Sequence, residues 1–463
     1  MSDPASAPPS AQPREGGLDA PTRHAIPWRE EEFYNPESIN AELERVFDIC
    51  HGCRRCVSLC DAFPTLFDLV DESPTMELDG VDKKDFGKVV DACYLCDLCY
   101  QVKCPYVPPH EWELDFPHLM LRAKAKKFRD SGAPLNSRVL SSTDAVGRLA
   151  TIPILNLGAR AATQTSIGRQ ALKAAVGVHH QAPIPSYTGR RLSRRRQPEP
   201  AQSPAADAPK VAIVPSCYCE FNEPEIAEDL LAVLRHNGAE VRLLEHKACC
   251  GMPKMELGDL ERVEQLKDAN IPQLAELAAS GWALITPVPS CNVMYRNELP
   301  LLFPEDERVQ RVRGAMRDVF EFLSDRHRAD ALNLEFKNPL GQVAYQVACH
   351  QRVQNIGPRT KQVLELVPDT QVLPIERCSG HDGTYGVRTE TYETAQKIAR
   401  PVARQVLKNA PDAVTSDCPM ASAQIAHAVK QSPPPSASAG QEPAAPARNW
   451  KHPISLLRHA YGI

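Results

Sequence analysis

The chain has 463 residues, of which 43% are hydrophobic and 24% charged, and its formal net charge is −5. This length predicts about two to four domains. The slightly acidic balance argues against nucleic-acid binding, which draws on a strongly basic surface. No stretch reaches the ~18 apolar residues of a membrane-spanning helix.

Sixteen cysteines stand out in this composition. Residues 1–17 are rich in Pro, Ala and Ser and lack the apolar centre of a secretory signal. Without an export signal, so many cysteines indicate a reducing compartment and metal ligation rather than disulfides. We therefore expect a cytoplasmic protein, and a peripheral position on the inner face of the membrane is compatible with this expectation. Residues 1–37 are expected to form a disordered tail.

Residues 38–130 are expected to form a helical domain. A helix is predicted from Ser38, as its N-cap, towards Cys50, and another over residues 116–129. Eight cysteines lie between these helices in two quartets with two-residue gaps. The first quartet is Cys50, Cys53, Cys56 and Cys60, and the second is Cys93, Cys96, Cys99 and Cys104.

This spacing resembles the ligand pattern of bacterial two-cluster ferredoxins, in which the fourth cysteine of each run serves the other cluster. The resemblance implies two [4Fe–4S] clusters. One would be held by Cys50, Cys53, Cys56 and Cys104, and the other by Cys93, Cys96, Cys99 and Cys60. Asp61 follows Cys60 where proline is usual. Two structural zinc sites or a disulfide framework are the alternatives, and the third cysteine in step in each quartet favours clusters.

Residues 131–209 are expected to form a helical connector followed by a basic, Pro-rich linker. Residues 189–196 contain five arginines. A solvated linker is the favoured interpretation of this run. The alternative is a basic patch that contacts a lipid surface or an acidic partner.

From Lys210 the pattern changes to short apolar runs that alternate with helical segments. Such runs at 211–214, 241–244 and 282–286 predict a parallel α/β sheet. Runs at 342–347, 372–375 and 413–415 repeat the pattern, which indicates an internal duplication. We assign residues 210–310 and 340–430 to two cysteine-rich repeats. Residues 431–463 are expected to hold a linker and a docking helix over 454–461.

Cysteines follow the predicted strands of both repeats, where the carboxyl ends of parallel strands meet at one edge of a sheet. The first edge would gather Cys217, Cys249, Cys250 and Cys291, with Cys219 as a spare. The second would gather Cys349, Cys378 and Cys418, with His350 or His381 nearby. Metal binding is the predicted role, and burial as apolar core cysteines is the alternative.

The two repeats resemble the CCG-domain iron–sulfur proteins of the heterodisulfide reductase type. The resemblance rests on Cys249-Cys250-Gly251-Met252-Pro253 and Pro289-Ser290-Cys291, and it covers about residues 40–430. In architecture the chain is similar to the iron–sulfur C subunits of anaerobic glycerol-3-phosphate dehydrogenases. Met294, Ser379 and Ala421 stand where the full motif has cysteine. The four-cysteine site would hold a cluster or zinc, and the three-cysteine site would hold a cluster or nothing.

The expected architecture is a helical two-cluster ferredoxin domain followed by two α/β cysteine-rich repeats with parallel sheets. The resemblance implies an electron-transfer subunit of an oxidoreductase. No dinucleotide fingerprint follows a predicted strand, so any flavin would lie on a partner. The expected partner is a flavin dehydrogenase subunit, a rubrerythrin-like protein or a quinone. The alternatives are a thiol–disulfide or peroxide reductase using Cys249, Cys250 or Cys378, and a zinc-stabilised binding scaffold.

Overall fold

A computed structural model of the chain describes residues 20–198, 204–432 and 449–463. A helical N-terminal half precedes two α/β repeats, each built on a four-stranded parallel sheet. The predicted mixture of helices and parallel sheets is therefore confirmed. Residues 1–19 of the predicted tail and residues 199–203 and 433–448 of the two predicted linkers lie outside the described ranges.

The first helices of the chain pack around a cluster of aromatic rings. They are α1 (Pro36–Cys53), α2 (Ala62–Asp71), α3 (Phe86–Ala92) and α4 (Phe116–Ser131). Phe116 of α4 lies 4.8 Å from Phe63 and 6.1 Å from Phe47, measured between ring centroids. Helix α1 begins earlier than predicted, because Asn35 rather than Ser38 is its N-cap and accepts the backbone N–H groups of Glu37 and Ser38.

Residues 20–37 are not a disordered tail, contrary to the sequence-based expectation. The Trp28 indole N–H donates to the Leu302 carbonyl at 2.9 Å, and the ring packs edge-on against Phe303. Ile26 is also buried, and its backbone N–H donates to the Leu301 carbonyl. This segment differs in composition from the low-complexity residues before it. Its apolar side chains are buried against the first repeat, which holds the segment in place.

Four short helices lie between α4 and the first repeat. They are α5 (Leu135–Leu140), α6 (Thr143–Ala150), α7 (Pro153–Gln164) and α8 (Ser166–Val176). The arginine-rich run that follows is packed rather than freely solvated. Leu192 is buried, and Arg195 forms ion pairs with Glu225 at 2.9 Å and Glu228 at 3.0 Å. These contacts fix the run against the first repeat.

The first repeat has the strand order β2-β1-β3-β4. Its strands are β1 (Lys210–Ile213), β2 (Glu240–Leu243), β3 (Ala283–Ile285) and β4 (Met316–Arg317). Its helices are α9 (Cys217–Phe221), α10 (Pro224–His236), α11 (Met252–Met255), α12 (Leu260–Ala279), α13 (Pro289–Val293), α14 (Leu299–Leu302), α15 (Glu307–Ala315) and α16 (Val319–Arg328). Strand β4 has two residues, too few for an apolar run to predict.

The second repeat has the corresponding order, β6-β5-β7-β8, which supports the predicted duplication. Its strands are β5 (Gly341–Gln346), β6 (Thr370–Ile375), β7 (Ala413–Ser416) and β8 (Asn449–Trp450). Its helices are α17 (Cys349–Arg352), α18 (Arg359–Leu364), α19 (Tyr392–Asn409) and α20 (Pro419–Gln431). The fourth strand comes from the C-terminal segment, where the sequence indicated only a linker and a helix.

The last helix of the chain is α21 (Pro453–Tyr461). It leaves the sheet of the second repeat and packs on the core of the first, where Leu457 and Tyr461 are fully buried. The Tyr461 hydroxyl donates to the Asn333 carbonyl at 2.7 Å. The helix therefore joins the two repeats. Within the described ranges, no helix is both long and apolar enough to cross a membrane.

Candidate functional site

The first group of cysteines forms at the end of α1. Cys50 and Cys53 lie in its last turn, and Arg54 ends the helix in the left-handed conformation. Burial raises the pKa of the Cys50 thiol, and Cys104, Cys56 and Cys53 raise it further. Burial together with Cys104 and Cys53 raises the pKa of Cys56 to about 12. The structure thus places Cys104, distant in sequence, beside the first three cysteines.

The second group contains Cys60, Cys93, Cys96 and Cys99. Burial raises the pKa of both Cys60 and Cys99. The nearby Cys93 thiol is one of the groups that raise both pKa values further. The backbone wraps tightly here, because Leu95 and Asp97 both have positive φ, at 57° and 62°. This conformation brings the Leu95 N–H to 3.5 Å from the Cys93 sulfur.

These eight cysteines, two of them buried and six half-buried, fit a positively charged metal cofactor. Burial and neighbouring thiols raise the pKa of Cys50 and Cys56 in the first group and of Cys60 and Cys99 in the second, so several thiolates could coexist there only with positive charge among them. The side chains of Lys103 and Arg55 supply positive charge near Cys56. Bound iron would supply the remaining positive charge. Cysteine binds metal as the thiolate, so the iron would sit directly beside these negative charges.

A buried charge network lies beside the second group, and no sequence pattern indicated it. Arg23 pairs with Asp97 at 2.7 Å, with Asp115 at 3.0 Å and with Glu298 at 3.3 Å. His118 bridges Asp115 and Glu298, at 3.1 Å from each. Asp97 lies between two predicted ligands, Cys96 and Cys99. The network therefore ties the cysteine loop, α4 and the first repeat together.

The first repeat brings four thiols together at the carboxyl edge of its sheet. Cys217 begins α9 after β1, Cys249 and Cys250 follow β2, and Cys291 lies in α13 after β3. Hydrogen bonds from Cys217 and Cys250 lower the pKa of Cys249 well below its usual value. Contacts with Cys249 and Cys291 raise the pKa of Cys250.

Two further sulfurs of the first repeat have different surroundings. Cys219, the predicted spare, is fully buried in the apolar core with Leu230 and Leu231, so it is a core cysteine. Met294, at the position of the missing motif cysteine, is fully buried. A Cβ atom built on Gly251, whose φ is +106°, would lie 3.3 Å from the Met294 methyl. The thioether therefore covers the tight turn after Cys250.

The second repeat brings three thiols to its own sheet edge around an aspartate. The Asp382 carboxylate lies 3.5 Å from the Cys378 sulfur and 4.0 Å from the Cys349 sulfur. Burial raises the pKa of Asp382 to about 6. Burial, Asp382 and Cys418 raise the pKa of Cys349. Ser379 and Ala421 are buried at the remaining motif positions.

Two histidines accompany these thiols. His350 contacts the Ser290 hydroxyl through Nδ1 at 2.8 Å. The Nε2 atoms of His350 and His381 are buried without a hydrogen-bond partner among the described residues. Burial lowers the pKa of both histidines to about 4, so both are neutral at pH 7.

The two sheet edges face one shared cavity of 270 Å³. The sequence indicated one gathering of cysteines at each edge, and it did not indicate that the edges meet. The cysteines that line the cavity are Cys217, Cys249, Cys250, Cys291, Cys349, Cys378 and Cys418. Much of the remaining wall is apolar and comes from the connector, including Val139, Val146 and Ile184. The cavity is thus a joint product of both repeats and the connector.

The second cysteine group lies against the second repeat. Burial raises the pKa of Cys96, and Cys349 and Asp382 of the second repeat raise it further. In the same way, Cys60 of the second group contributes to the raised pKa of Cys378. The rings of Tyr94 and Tyr385 pack edge to face with centroids 4.5 Å apart. The thiols therefore form a buried series from the end of α1 to the cavity.

Comparison with known proteins agrees with this architecture. The model of the family described as "CCG: Cysteine-rich domain" matches residues 211–296 and 343–426. The C subunit of the anaerobic glycerol-3-phosphate dehydrogenase of Escherichia coli K12 is 28% identical over 314 residues, covering 66% of this chain and 76% of that protein.

Two further relatives are more distant. The B subunit of the fumarate reductase (CoM/CoB) of Methanothermobacter marburgensis is 27% identical over 221 residues, covering 47% of this chain and 41% of that protein. An uncharacterized iron–sulfur protein of Methanocaldococcus jannaschii is 26% identical over 224 residues, covering 48% of this chain and 42% of that protein. The chain therefore carries two CCG cysteine-rich domains and is homologous to the C subunit of anaerobic glycerol-3-phosphate dehydrogenase and to iron–sulfur proteins of the heterodisulfide reductase type.

Proposed function

We propose that the chain is an iron–sulfur electron-transfer subunit of an oxidoreductase complex. Residues 38–130 form a ferredoxin-type domain with two [4Fe–4S] clusters in this proposal. The ligands are Cys50, Cys53, Cys56 and Cys104 for one cluster, and Cys60, Cys93, Cys96 and Cys99 for the other. The observation that carries the proposal is the position of Cys60 and Cys96 beside Cys378 and Cys349 of the second repeat.

Bound clusters would supply one-electron transfer, and the chain's own residues would set the conditions for it. The Leu95 N–H points at the Cys93 sulfur, and the Gly380 N–H lies 3.3 Å from the Cys378 sulfur. Hydrogen bonds to sulfur and exclusion of solvent are among the factors that set cluster potentials. The buried rings of Tyr94 and Tyr385 exclude water between the two halves.

The cavity between the repeats is the proposed exit or entry point for electrons. Cys217, Cys249, Cys250 and Cys291 would bind a third cluster or zinc, and Cys349, Cys378 and Cys418 would bind a cluster or nothing. The partner would be a flavin dehydrogenase subunit, a rubrerythrin-like protein or a quinone. The resemblance to a component of a dehydrogenase supports the first of these.

A zinc-stabilised scaffold is the weaker alternative. Paired C-x-x-C motifs also bind zinc, but each N-terminal quartet has a third cysteine in step, which two-pair zinc sites do not need.

A thiol–disulfide reductase is the second candidate, and one observation favours it. Cys217 and Cys249 hydrogen-bond to each other and line the cavity. If this pair were the reaction centre, it would be oxidised to a disulfide as it reduces a substrate disulfide or peroxide. With a small dithiol added as the reductant that regenerates it, turnover would survive loss of the N-terminal clusters. If the chain is an electron carrier, that turnover would stop.

Iron and sulfide analysis of the anaerobically purified full chain tests the proposal. Cys56→Ala and Cys96→Ala should each remove about four irons, the content of one cluster. Cys219→Ala is the matched control, because this buried thiol lies in the apolar core away from both groups. Unchanged iron in both variants, or an equal loss in the control, would contradict the assignment.

A further inference from the structure

A second cavity borders the shared one and opens to solvent. It has a volume of 550 Å³ and lies between the N-terminal helices, the connector and both repeats. Part of its wall consists of charged residues that are exposed to solvent, namely Lys88, Asp91, Lys127 and Glu390. We call this cavity the polar pocket.

Glu256 lies where the two cavities meet. The residues that line both cavities are Pro253, Glu256, Asp382 and Thr384. Asp382 contacts the sulfurs of Cys378 and Cys349, so it belongs to the thiol site of the second repeat. Glu256 directly follows α11 and is the other ionisable group of these four residues. Its carboxyl group is therefore placed between solvent in the polar pocket and the interior of the shared cavity.

The backbone of the second repeat leaves room for this carboxyl group. Gly383 lines the shared cavity with a φ of +52°, and a Cβ atom built there would collide with the Glu256 carboxyl oxygens. Within the described ranges, the half-buried carboxyl group forms no hydrogen bond and no ion pair. Polar groups away from bulk solvent are normally paired, so an unpaired acid at this junction points to a role other than packing.

The charges around Glu256 hold its acidity near neutral pH. Burial raises its pKa and Asp382 raises it further, whereas Lys124 and Arg388 lower it. The Cys249 thiol also raises it, and the resulting pKa is about 8. A carboxyl group with a pKa near the working pH can both give up and regain a proton, which suits it to proton transfer.

We propose that Glu256 passes protons from the polar pocket to the shared cavity when an organic acceptor is reduced there. This role rests on the proposed electron-transfer function. A quinone takes two electrons and two protons as it becomes a hydroquinone, and a disulfide takes the same as it becomes two thiols. The reduced clusters supply the electrons and bulk water supplies the protons. Glu256 regains its proton from water in the polar pocket after each transfer.

Reoxidation of the pre-reduced full chain tests the proton path. The anaerobically purified protein is reduced with dithionite, freed of excess reductant and mixed with an acceptor in a stopped-flow instrument. The acceptors are menadione, a quinone, and ferricyanide, which takes an electron without a proton. Cluster absorbance follows the loss of electrons, and an indicator dye follows proton uptake. The wild-type rate with menadione should fall as the pH rises through about 8, because Glu256 then loses its proton.

A conservative variant separates proton transfer from a structural role. Glu256→Gln keeps the shape of the side chain but has no acidic proton, so it should slow the reaction with menadione by about a hundredfold. It should leave the reaction with ferricyanide unchanged. Formate, a small weak acid that can enter the open pocket, should restore part of the menadione rate. The control Glu305→Gln, an exposed residue that lines neither cavity, should behave like the wild type.

Two results with the variant would contradict the proposal. One is an unchanged rate with menadione, and the other is equal slowing with menadione and ferricyanide, which would mean damage to the electron path. A wild-type protein that shows both reduced-cluster signals but does not react with menadione would also overturn the proton path. That result would leave the electron-transfer proposal standing, whereas absence of the clusters would contradict the electron-transfer proposal itself.

Discussion

The Cys96 thiol lies beside the Cys349 thiol, across the boundary between the N-terminal helices and the second repeat. Burial raises the pKa of Cys96, and Cys349 is the neighbour that raises it most. Asp382 contacts Cys349 and also raises the pKa of Cys96. The two cysteine-rich halves of the chain are therefore in direct contact.

The Tyr94–Tyr385 ring pair should couple the two halves energetically. The double variant Tyr94→Ala, Tyr385→Ala should be less destabilised than the sum of the single variants by about 0.5–1.5 kcal/mol, which is typical of an edge-to-face aromatic pair. Chemical denaturation of the two single variants, the double variant and the wild type measures this coupling. Strict additivity would show that the contact does not hold the halves together.

Among the buried charged side chains, Arg23 should cause the largest loss of stability when it is replaced. Arg23→Gln leaves Asp97 without its buried partner and leaves Asp115 and Glu298 with His118 alone, so it should cost about 3–5 kcal/mol of unfolding free energy. The matched control is Arg29→Gln, whose exposed pair with Glu264 should contribute no more than about 1 kcal/mol. Urea unfolding of the wild type and both variants measures the two losses of unfolding free energy. Equal losses would show that the buried network adds nothing beyond an exposed pair.

His118 should make stability depend on alkaline pH. Burial and Arg23 oppose its protonation, but Asp115 and Glu298 outweigh them and raise its pKa to about 9. In the unfolded chain the pKa is about 6.5, so this contribution is complete below that pH and is lost as the pH rises through about 9. The loss should be on the order of 3 kcal/mol, since one pKa unit corresponds to about 1.4 kcal/mol.

Denaturation midpoints at pH 6 and pH 9.5, roughly bracketing this window, provide the measurement for His118. The wild type should lose more stability between these values than His118→Gln, which keeps a hydrogen-bonding side chain without the charge. Comparing the two proteins removes the contribution of groups common to both, including the thiols. Parallel pH profiles would contradict the charged state assigned to His118.

Gly251 should be required for the turn that presents Cys249 and Cys250. Its φ of +106° and the Met294 methyl both oppose a side chain, so Gly251→Ala should cost about 2–3 kcal/mol. Gly281→Ala is the control, because Gly281 also has positive φ but faces open space. It should cost about 1 kcal/mol. A control loss as large as that of Gly251→Ala would show that the methyl contact is irrelevant.

Local patterns predicted the parts of the fold that depend on neighbours in sequence. Apolar runs predicted β1, β2 and β3 of the first repeat and β5, β6 and β7 of the second, since each of these strands has a signal within about a dozen residues. The two-residue strands β4 and β8 have no such signal. Their pairing depends on the sheet that receives them.

The sequence alone did not predict contacts between segments that are far apart in the chain. Arg23 lies in a segment whose composition resembles a tail, and its three carboxylate partners are spread over the chain. Nothing local indicates that the sheet edges of the two repeats face each other. Two features join the repeats: α21, which crosses from one repeat to the other, and His452, which contacts the Pro287 and Asp417 carbonyls.

The most direct test of the electron-transfer proposal is the EPR spectrum of the anaerobically purified full chain before and after dithionite, with iron, sulfide and zinc analysis of the same sample. We expect at least about eight irons and two reduced [4Fe–4S] signals. Twelve or more irons would place a further cluster at the CCG cysteines and extend the electron path to the cavity. Zinc with little iron, and no signal on reduction, would contradict the proposal.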